Sequence, residues 1–431
     1  MVPQSSDSSV LPMIVTEHKW GDRGLAFHPK GLYLASVGSE DNDIRVWDRS
    51  SGELVQCLKG HTRRVQCITY SDDFDTVYDH GYILISAGWD KTIRFWDVKV
   101  GRELGRIETV TEINSIVYVH RGRLAAGGED GVIYYWSFDI SGRDLTVWPS
   151  IINFYEYGQL VGHQSSVRSI AYAISPSAIA MLVSASSDQT VRLWSEPPYG
   201  KELHRLPIPG CRDVAFSPDG TKLAVAKTIL HNEALELWDS LSGQRLPFSS
   251  LALTGEYSNC VDFASYDVRE AMALLSSDRE ASSVTHGILG GYFDFLAVGI
   301  TKQSDPPRTK VVFCSEDSEN RIDCYLECPM GSIEQIKVWE GYYLAVGGRD
   351  GICLWGPQSI SPGSFIMREL ARRKRRIQEE EQRRELARQI QVEREKLQSQ
   401  AWLASGCCTA CGQKLGMMER LRGNTRCAAH R

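Results

Sequence analysis

Short apolar runs alternate with polar turn segments along most of the chain. The clearest unit spans residues 60–97, where an alternating run at 65–70 is followed by an apolar run at 82–85 and a third run at 93–97. Gly, Asp and Ser separate these runs, and such residues favour tight turns. Three short runs of this kind predict three antiparallel β-strands in one small sheet.

A near copy of this unit lies over residues 162–194, with the same order of runs and turns. Self-similarity at this scale is typical of repeat architectures, in which each repeat forms one supersecondary unit. Weaker copies bring the set to seven, and they span residues 18–48, 113–136, 214–239, 260–314 and 333–355. The pattern therefore predicts an all-β repeat protein.

The two clearest copies share four residues at matching positions. Each copy has Gly-His at its start, an Asp four residues after a Ser, and a Trp six residues after that Asp. The two sets are His61, Ser86, Asp90, Trp96 and His163, Ser184, Asp188, Trp194. With these motifs the chain resembles the WD-repeat β-propeller family. The resemblance implies that each set forms one buried chain of hydrogen bonds, which suits side chains that donate and accept in turn.

A Ser-His-Asp catalytic triad is the alternative interpretation of the same residues. A triad is recognised by the roles and geometry of its members. Here the set repeats in separate units and includes a Trp, so a structural network is the favoured interpretation. We therefore predict no catalytic residue.

The number of units predicts a closed ring. The last unit ends at Trp355 before a fourth strand, and a strand-like run at Leu11–His18 precedes the first unit. This run can supply the missing outer strand, which removes two sheet edges. We therefore expect a seven-bladed β-propeller over residues 11–358, closed by its N-terminal strand. Six or eight blades fit the pattern less well.

Three units depart from the shared pattern. In the first unit either Glu40 or Asp41 takes the acidic position, because the turn is one residue longer. In the third unit Ala126 replaces the Ser, so its hydrogen-bond chain is expected to be incomplete. A long aromatic-rich connection is predicted over residues 137–160, and an insertion in the sixth unit over residues 276–291.

Residues 364–404 contain no Pro or Gly and are rich in Arg, Glu, Gln, Leu and Ala. Glu–Arg pairs four residues apart favour a helix, but the apolar positions do not keep one heptad register. We expect a long, charged, solvated helix that acts as a spacer, with a coiled-coil dimer as the alternative. The chain is thus expected to be a monomer or a weak coiled-coil dimer. The basic run at 372–376 is either a solvated face or a nuclear-import or nucleic-acid patch.

The last segment, residues 405–431, contains two pairs of metal-ligand residues: Cys408 with Cys411, and Cys427 with His430. Their spacing falls within that of structural zinc sites, and the segment resembles a small zinc ribbon. Such a short segment cannot bury a core alone, so a bound Zn²⁺ would explain how it folds. Four unliganded residues at a frayed terminus are the alternative.

Charge is unevenly divided between these regions. Residues 1–363 contain 32 Lys and Arg against 46 Asp and Glu, a net charge of −14, and residues 364–431 contain 16 against 8, a net charge of +8. An acidic propeller argues against nucleic-acid binding by that domain. The basic tail leaves open an acidic partner or a nucleic acid.

Targeting signals and cysteine usage indicate the compartment. No apolar run reaches the roughly 20 residues of a transmembrane helix, and residues 1–10 lack the basic and apolar regions of a secretory signal. Cys67, Cys260 and Cys353 stand singly in apolar runs, which suggests reduced thiols. We expect no membrane association and a cytoplasmic location, with a nuclear one as the alternative.

The sequence contains no nucleotide-binding loop, nucleophile elbow or His-Glu-x-x-His motif. The leading hypothesis is a non-enzymatic interaction scaffold, in which the propeller binds a protein or peptide and the helix holds the zinc module away from it. The resemblance implies partner docking on the rim formed by the turns after the second strands and the loops after Gly-His. That rim points to Trp89, Arg63 and Arg64, and Trp and Arg are enriched at binding hot spots.

Two other function classes compete with the scaffold hypothesis. One is a nucleic-acid-associated regulatory protein that binds through the basic helix and finger. The other is an enzyme whose chemistry lies in an unrecognised site on the propeller.

Overall fold

The structure is a computed structural model of the 431-residue chain. It describes residues 13–15, 20–38, 41–71, 83–120, 122–140, 152–196, 200–227, 235–247, 256–267, 292–302, 308–315, 322–328, 332–339, 343–348, 351–355 and 400. Within these ranges the chain forms 27 β-strands, which pair as antiparallel sheets of neighbouring strands. The all-β prediction is therefore confirmed for the described part of the chain.

The first three sheets follow one another along the chain. Sheet 1 consists of β2 Trp20–Phe27, β3 Tyr33–Gly38, β4 Ile44–Asp48 and β5 Leu54–Leu58. Sheet 2 consists of β6 Val65–Tyr70, β7 Ile83–Gly88, β8 Thr92–Asp97 and β9 Arg102–Glu108. Sheet 3 consists of β10 Ile113–Tyr118, β11 Arg123–Gly128, β12 Ile133–Ile140 and β13 Ile152–Leu160.

Four more sheets complete the described strands. Sheet 4 consists of β14 Val167–Ile174, β15 Ala180–Ser186, β16 Thr190–Ser195 and β17 Glu202–Pro207. Sheet 5 consists of β18 Cys211–Phe216, β19 Lys222–Lys227 and β20 Leu235–Asp239. Sheet 6 consists of β21 Glu256–Asp267, β22 Tyr292–Lys302, β23 Arg308–Ser315 and β24 Ile322–Cys328. Sheet 7 consists of β25 Gln335–Trp339, β26 Tyr343–Gly348, β27 Gly351–Trp355 and β1 Met13–Val15.

The first strand of each sheet contacts the first strand of the next, and this cycle closes when β25 contacts β2. At the closure, β1 pairs with β27, with Met13 opposite Leu354 and Val15 opposite Ile352. The Leu25 amide also donates to the side-chain oxygen of Gln335 at 2.7 Å. The predicted borrowed strand is therefore present, and Met13–Val15 are its described residues.

The sheets match the sequence units, with one difference in strand number. Among the described residues, six sheets have the four strands of a complete blade, whereas seven such blades were predicted. Sheet 5 has three strands, and an isolated bridge between Trp238 and Arg245 is all that continues it beyond β20 within the described ranges. The β-propeller architecture itself is confirmed.

The predicted long connection over residues 137–160 was wrong. Instead, β12 continues to Ile140, and β13 forms the outer strand of sheet 3. The physical reason is that Phe138 and Phe154 pack into the core between sheets 2 and 3. The rings of Phe138 and Phe154 lie 4.9 and 4.8 Å from the ring of Phe95 in sheet 2, measured between centroids.

The cores lie between neighbouring sheets. One buried cluster joins Ile85 and Phe95 of sheet 2 to Ile116 and Trp136 of sheet 3. Removing such a side chain from water stabilises the fold by about 1.5–3 kcal/mol. Because each sheet has two neighbours, both of its faces are covered, and the ring is stabilised by repetition of the same contact.

Polar side chains of the first strands also join neighbouring sheets. Asp213 of sheet 5 accepts hydrogen bonds from the Ser169 hydroxyl at 2.6 Å and from the Val261 amide at 3.2 Å. Asp262 of sheet 6 accepts from the Val338 amide at 2.9 Å, and burial raises the pKa of this carboxyl. These bonds satisfy polar groups that the ring would otherwise bury without partners.

The chain divides into one unit over Met1–Ser361 and a second over Pro362–Arg431. The first unit contains all 27 described strands, and Gln400 is the only described residue of the second. The predicted helix over 364–404, the zinc-ligand residues and the insertion at 276–291 therefore lie outside the described residues. No helix in the described part of the chain is long and apolar enough to cross a membrane.

Candidate protein-interaction face

In sheet 2 the four predicted network residues come together in the expected order. His61 Nδ1 lies 2.8 Å from Asp90 Oδ2, and its Nε2 lies 2.7 Å from the Ser86 hydroxyl. The Trp96 indole N–H donates to the same hydroxyl at 2.7 Å. The Thr62 amide donates to Asp90 at 3.1 Å. The loop before β6 is thereby tied to the β7–β8 turn and to β8.

Proton positions in this network follow from the chemistry of its members. Burial alone would raise the pKa of Asp90, but hydrogen bonds from His61, Thr62 and Thr92 outweigh it and lower the pKa to about 2. The carboxylate is an acceptor only, so Nδ1 of His61 carries the proton that it donates. The Ser86 hydroxyl, which accepts from the Trp96 indole, lies within hydrogen-bond distance of Nε2 of His61.

Sheet 4 repeats the network with nearly the same distances. His163 Nδ1 lies 2.9 Å from Asp188, its Nε2 lies 2.8 Å from Ser184, and the Trp194 indole donates to Ser184 at 2.8 Å. Burial lowers the pKa of His163, although the hydrogen bond to Asp188 opposes this shift. The lowered pKa keeps the imidazole neutral at neutral pH. The network is therefore a property of the repeat.

The turn that carries each Asp has an unusual backbone conformation. Lys91 and Gln189, which follow the two Asp residues, have φ of 59° and 66°. Gly131 has φ of 84° at the same position in sheet 3. Positive φ is uncommon for residues other than Gly, so the hydrogen bonds to the Asp carboxylates help to hold these turns.

Sheet 1 and sheet 3 keep parts of the network. In sheet 1 the Trp47 indole donates to Ser36 at 2.8 Å. Asp41 accepts two bonds from Arg45 at 3.0 and 2.6 Å and lies six residues before Trp47, whereas Glu40 lies outside the described residues. In sheet 3, Ala126 has no hydroxyl to bond an indole.

Sequence reasoning missed an arginine that extends both complete networks. Arg94 donates to Glu103 of the outer strand at 2.7 Å, and Arg192 donates to Glu202 at 2.5 Å. In sheet 3 the equivalent position is Tyr134, whose hydroxyl donates to Asp130 at 2.7 Å. The sequence contained a signal for this arginine, because in both clear repeats an Arg lies two residues after a Thr.

The networks are poorly suited to nucleophilic catalysis. Ser86 and Ser184 are fully buried, and each hydroxyl oxygen already bonds a histidine and an indole. An attacking oxygen needs access to its substrate and an oriented base. The geometry therefore favours the structural interpretation over the triad.

The three residues predicted to bind a partner lie together on one face of the ring. The Trp89 amide donates to the Arg64 carbonyl at 2.9 Å, and the Arg64 guanidinium lies 5.6 Å from the indole ring. Trp89 is 37% exposed. The Arg63 side chain is 68% exposed and lies 3.6 Å from Glu112 of the next loop. We call Arg63, Arg64 and Trp89 the Trp89 cluster.

The same backbone arrangement continues around this face. In each of three successive sheets, the residue before the turn Asp donates its amide to a carbonyl in the loop before the first strand. The pairs are Trp89 with Arg64, Glu129 with Glu112, and Ser187 with Ser166, each at 2.9 Å. The face therefore presents an aromatic and two cations at sheet 2, two carboxylates at sheet 3 and Ser187 at sheet 4, where Ser166 is buried.

The described residues contain no group of three or more His, Cys, Asp or Glu side chains that could hold a metal ion. Their buried thiols are packed in the cores. Burial raises the pKa of the Cys211 thiol to about 11. A thiol of this kind stays protonated at neutral pH and packs as a small apolar side chain.

The comparisons with known proteins agree with this architecture. The family model "WD domain, G-beta repeat" matches residues 16–48, 52–97 and 155–195, which contain sheet 1, most of sheet 2 and three strands of sheet 4. These segments include all eight residues of the two complete hydrogen-bond networks.

Several fungal and plant proteins are similar over longer stretches. "Nuclear distribution protein nudF" of Aspergillus niger is 25% identical over 341 residues, or 65% of this chain and 72% of that protein. "Nuclear distribution protein PAC1" of Arthroderma otae is 30% identical over 181 residues, or 41% of this chain and 36% of that protein. "Cell division cycle 20.1, cofactor of APC complex" of Arabidopsis thaliana is 27% identical over 180 residues, or 40% and 35%. Residues 16–48, 52–97 and 155–195 therefore carry WD repeats, and with its repeated networks and ring of sheets the chain is similar to the WD-repeat propeller proteins.

Proposed function

We propose that the chain is a non-enzymatic interaction scaffold whose Trp89 cluster binds a protein or peptide partner. The observation that carries the proposal is an exposed indole held at the rim by its own backbone and flanked by two arginines. Trp and Arg are the residues most enriched at binding hot spots, because they bring large contact area and directed hydrogen bonds. A held side chain also loses less conformational entropy on binding.

The names of these relatives support an interaction role. The Arabidopsis protein is named as a cofactor of a complex, and the two fungal proteins are named for nuclear distribution. Neither description names an enzymatic activity. A cytoplasmic location is compatible with these names, and we propose it for this chain.

The experiment is affinity capture with the full-length chain and two matched variants. Trp89→Ala removes the proposed anchor, whereas Tyr155→Ala removes an equally aromatic side chain that is 56% exposed on outer strand β13. We expect a set of proteins that the parent and Tyr155→Ala capture and that Trp89→Ala captures at least about tenfold less well, the loss typical of a hot spot. Equal capture by all three chains would contradict the proposal.

We also propose an arrangement of the whole chain. A seven-bladed propeller spans residues 11–358, a charged helix spans 364–404 and a zinc module spans 405–431. The closed cycle of first strands and the pairing of β1 with β27 support the propeller part. Only the sequence supports the helix.

The zinc proposal rests on ligand chemistry and spacing. Cys408, Cys411, Cys427 and His430 would hold one Zn²⁺ through three thiolates and one imidazole, the donors that closed structural sites use. Four protein ligands leave no open position, so the metal would stabilise the module and take no part in catalysis. Retention of the full chain on nucleic acid, lost when the run at 372–376 is neutralised, would instead favour the nucleic-acid alternative.

A further inference from the structure

Asn114 occupies a position that touches three sheets. It lies at a β-bulge in β10, where the pairing with β11 shifts between Ile113 and Ser115, and it is only 8% exposed. Its side-chain nitrogen donates to Glu129 at 2.7 Å and to the Ser166 hydroxyl at 2.9 Å. Its side-chain oxygen accepts from the Trp89 indole N–H at 3.4 Å.

The chemistry of these partners fixes the orientation of the amide. A carboxylate such as Glu129 can only accept a hydrogen bond, and an indole N–H can only donate one. The Asn114 nitrogen must therefore face Glu129, and its oxygen must face Trp89. Because both of its N–H groups are engaged, the oxygen is held in one direction.

This fixed acceptor determines how the Trp89 ring lies. The backbone bond to Arg64 holds the main chain of Trp89, but it leaves the two side-chain torsions free. The indole bond to Asn114 selects one orientation of the ring, with the Arg64 guanidinium beside it. At 3.4 Å the bond is longer than a typical N–H···O hydrogen bond, so its contribution to the stability of the fold is small.

Equivalent positions in other sheets show that this role is particular to Asn114. Bulges in β6, β14 and β18 place Gln66, Arg168 and Arg212 at the same point of the first strand. Arg168 donates to Ser187 within its own sheet at 2.5 Å. An amide offers both donors and an acceptor, so Asn114 can donate to Glu129 and Ser166 and also accept from the Trp89 indole, whereas a guanidinium has no acceptor to offer an indole.

We infer that Asn114 is a positioning residue for partner binding: it sets the orientation of the Trp89 indole, so the binding site spans the junction of sheets 2, 3 and 4. The inference rests on the proposed function of the Trp89 cluster. It predicts that Asn114 affects the partner only through Trp89.

The first test measures ring positioning without any partner. In the full-length chain labelled with ¹⁵N in its Trp indoles, Trp89→Phe identifies the Trp89 resonance. Asn114→Ala should shift this resonance and accelerate exchange of its N–H with water, while the Trp96 and Trp194 indoles stay unchanged. If the alanine variant folds poorly, Asn114→Leu is measured instead. Leucine keeps most of the side-chain volume but has no hydrogen-bond acceptor, so we expect the same result. Ser187→Ala, which removes the acceptor of Arg168 in sheet 4 but no contact of Asn114 or Trp89, is the control.

The second test is a double-mutant cycle, with the proteins captured by the parent chain from a cell lysate as the probe. Asn114→Ala should weaken their retention by about two- to tenfold, the range for one hydrogen bond. In a Trp89→Ala background the same substitution should have no further effect. Equal losses in both backgrounds, or an unchanged Trp89 resonance in the first test, would overturn the inference. If Trp89→Ala itself leaves retention unchanged, the proposed function fails, and the NMR result still shows whether Asn114 orients the ring.

Discussion

Individual side chains carry two separate tasks in this propeller. His163 lies buried between Asp188 and Ser184 and holds loop, turn and strand together. Trp89 lies at the rim with part of its ring exposed. Buried network residues such as His163 contribute to the stability of the fold, and exposed rim residues such as Trp89 contribute to partner binding. Substitutions at the two kinds of position should therefore change stability and binding separately.

Removal of the His163 imidazole should destabilise the fold. His163→Ala leaves the Asp188 carboxylate and the Ser184 hydroxyl without their shared partner, and we expect a loss of about 1–3 kcal/mol in the free energy of unfolding. Denaturant unfolding of the full chain measures it. The matched control is Gln164→Ala, because the exposed Gln164 reaches Asp188 through its backbone amide, which the substitution keeps. An unfolding curve for His163→Ala that matches the parent would refute a structural role.

The residue patterns predicted the networks well, because their spacing is local to each repeat. Ser, Asp and Trp lie on one β-hairpin, so their separation along the chain fixes their separation in space. The bond from Arg94 to Glu103 could not be predicted in the same way. It crosses to the outer strand, where a register shift between Phe95 and Trp96 decides which residues face each other.

At the scale of elements, the outer strand of sheet 7 has only three described residues. β1 covers the edge of β27 with backbone hydrogen bonds, and no other described strand pairs with that edge. An uncovered edge strand loses those bonds and exposes its backbone for association. The short β1 therefore contributes to the stability of all the sheets.

Deletion of residues 1–18 should lower the melting temperature of the chain and promote aggregation. The control is deletion of residues 1–10, which leaves Met13–Val15 in place and should melt as the parent does. Calorimetry or near-UV circular dichroism of the three chains makes the comparison. Identical melting of the longer deletion and the parent would mean that β1 does not close the ring.

The outer strands were harder to predict than the inner ones. Strand β13 follows a segment that contains Ser141, Gly142 and Pro149, and Gly158 interrupts its own apolar positions, so the whole stretch resembled a connection. Its strand character comes from packing, since Phe154 needs Phe95 of another sheet to be buried. A contact between repeats leaves no periodic signal within one repeat.

At the scale of the whole molecule, the chain joins an acidic propeller to a basic segment. Residues 1–363 have a net charge of −14 and residues 364–431 a net charge of +8. Propeller stability comes from packing between sheets, whereas the proposed zinc module has too few residues for a core of its own. The two parts should therefore respond differently to loss of metal.

Metal analysis of protein purified without added zinc tests this difference. The parent should contain about one zinc per chain, the stoichiometry of one closed four-ligand site, and Cys411→Ser should lose most of it. The matched control Cys67→Ser changes a buried thiol of the propeller and should keep the metal. A chelator should leave the propeller's melting transition in place. Negligible metal in both the parent and the control would remove the zinc proposal.

Site-specific photo-crosslinking tests the central claim most directly, because it reports which face touches a partner. A photoreactive phenylalanine derivative replaces Val110, which is 76% exposed beside the Trp89 turn and bonded through its carbonyl to Lys91. A second chain carries the derivative in place of Tyr155 on outer strand β13. After irradiation in cell lysate, we predict discrete protein adducts at position 110 that Trp89→Ala abolishes, and none of these adducts at position 155. The same adducts at both positions, or adducts at 110 that persist in Trp89→Ala, would contradict the assignment of this face as the binding surface.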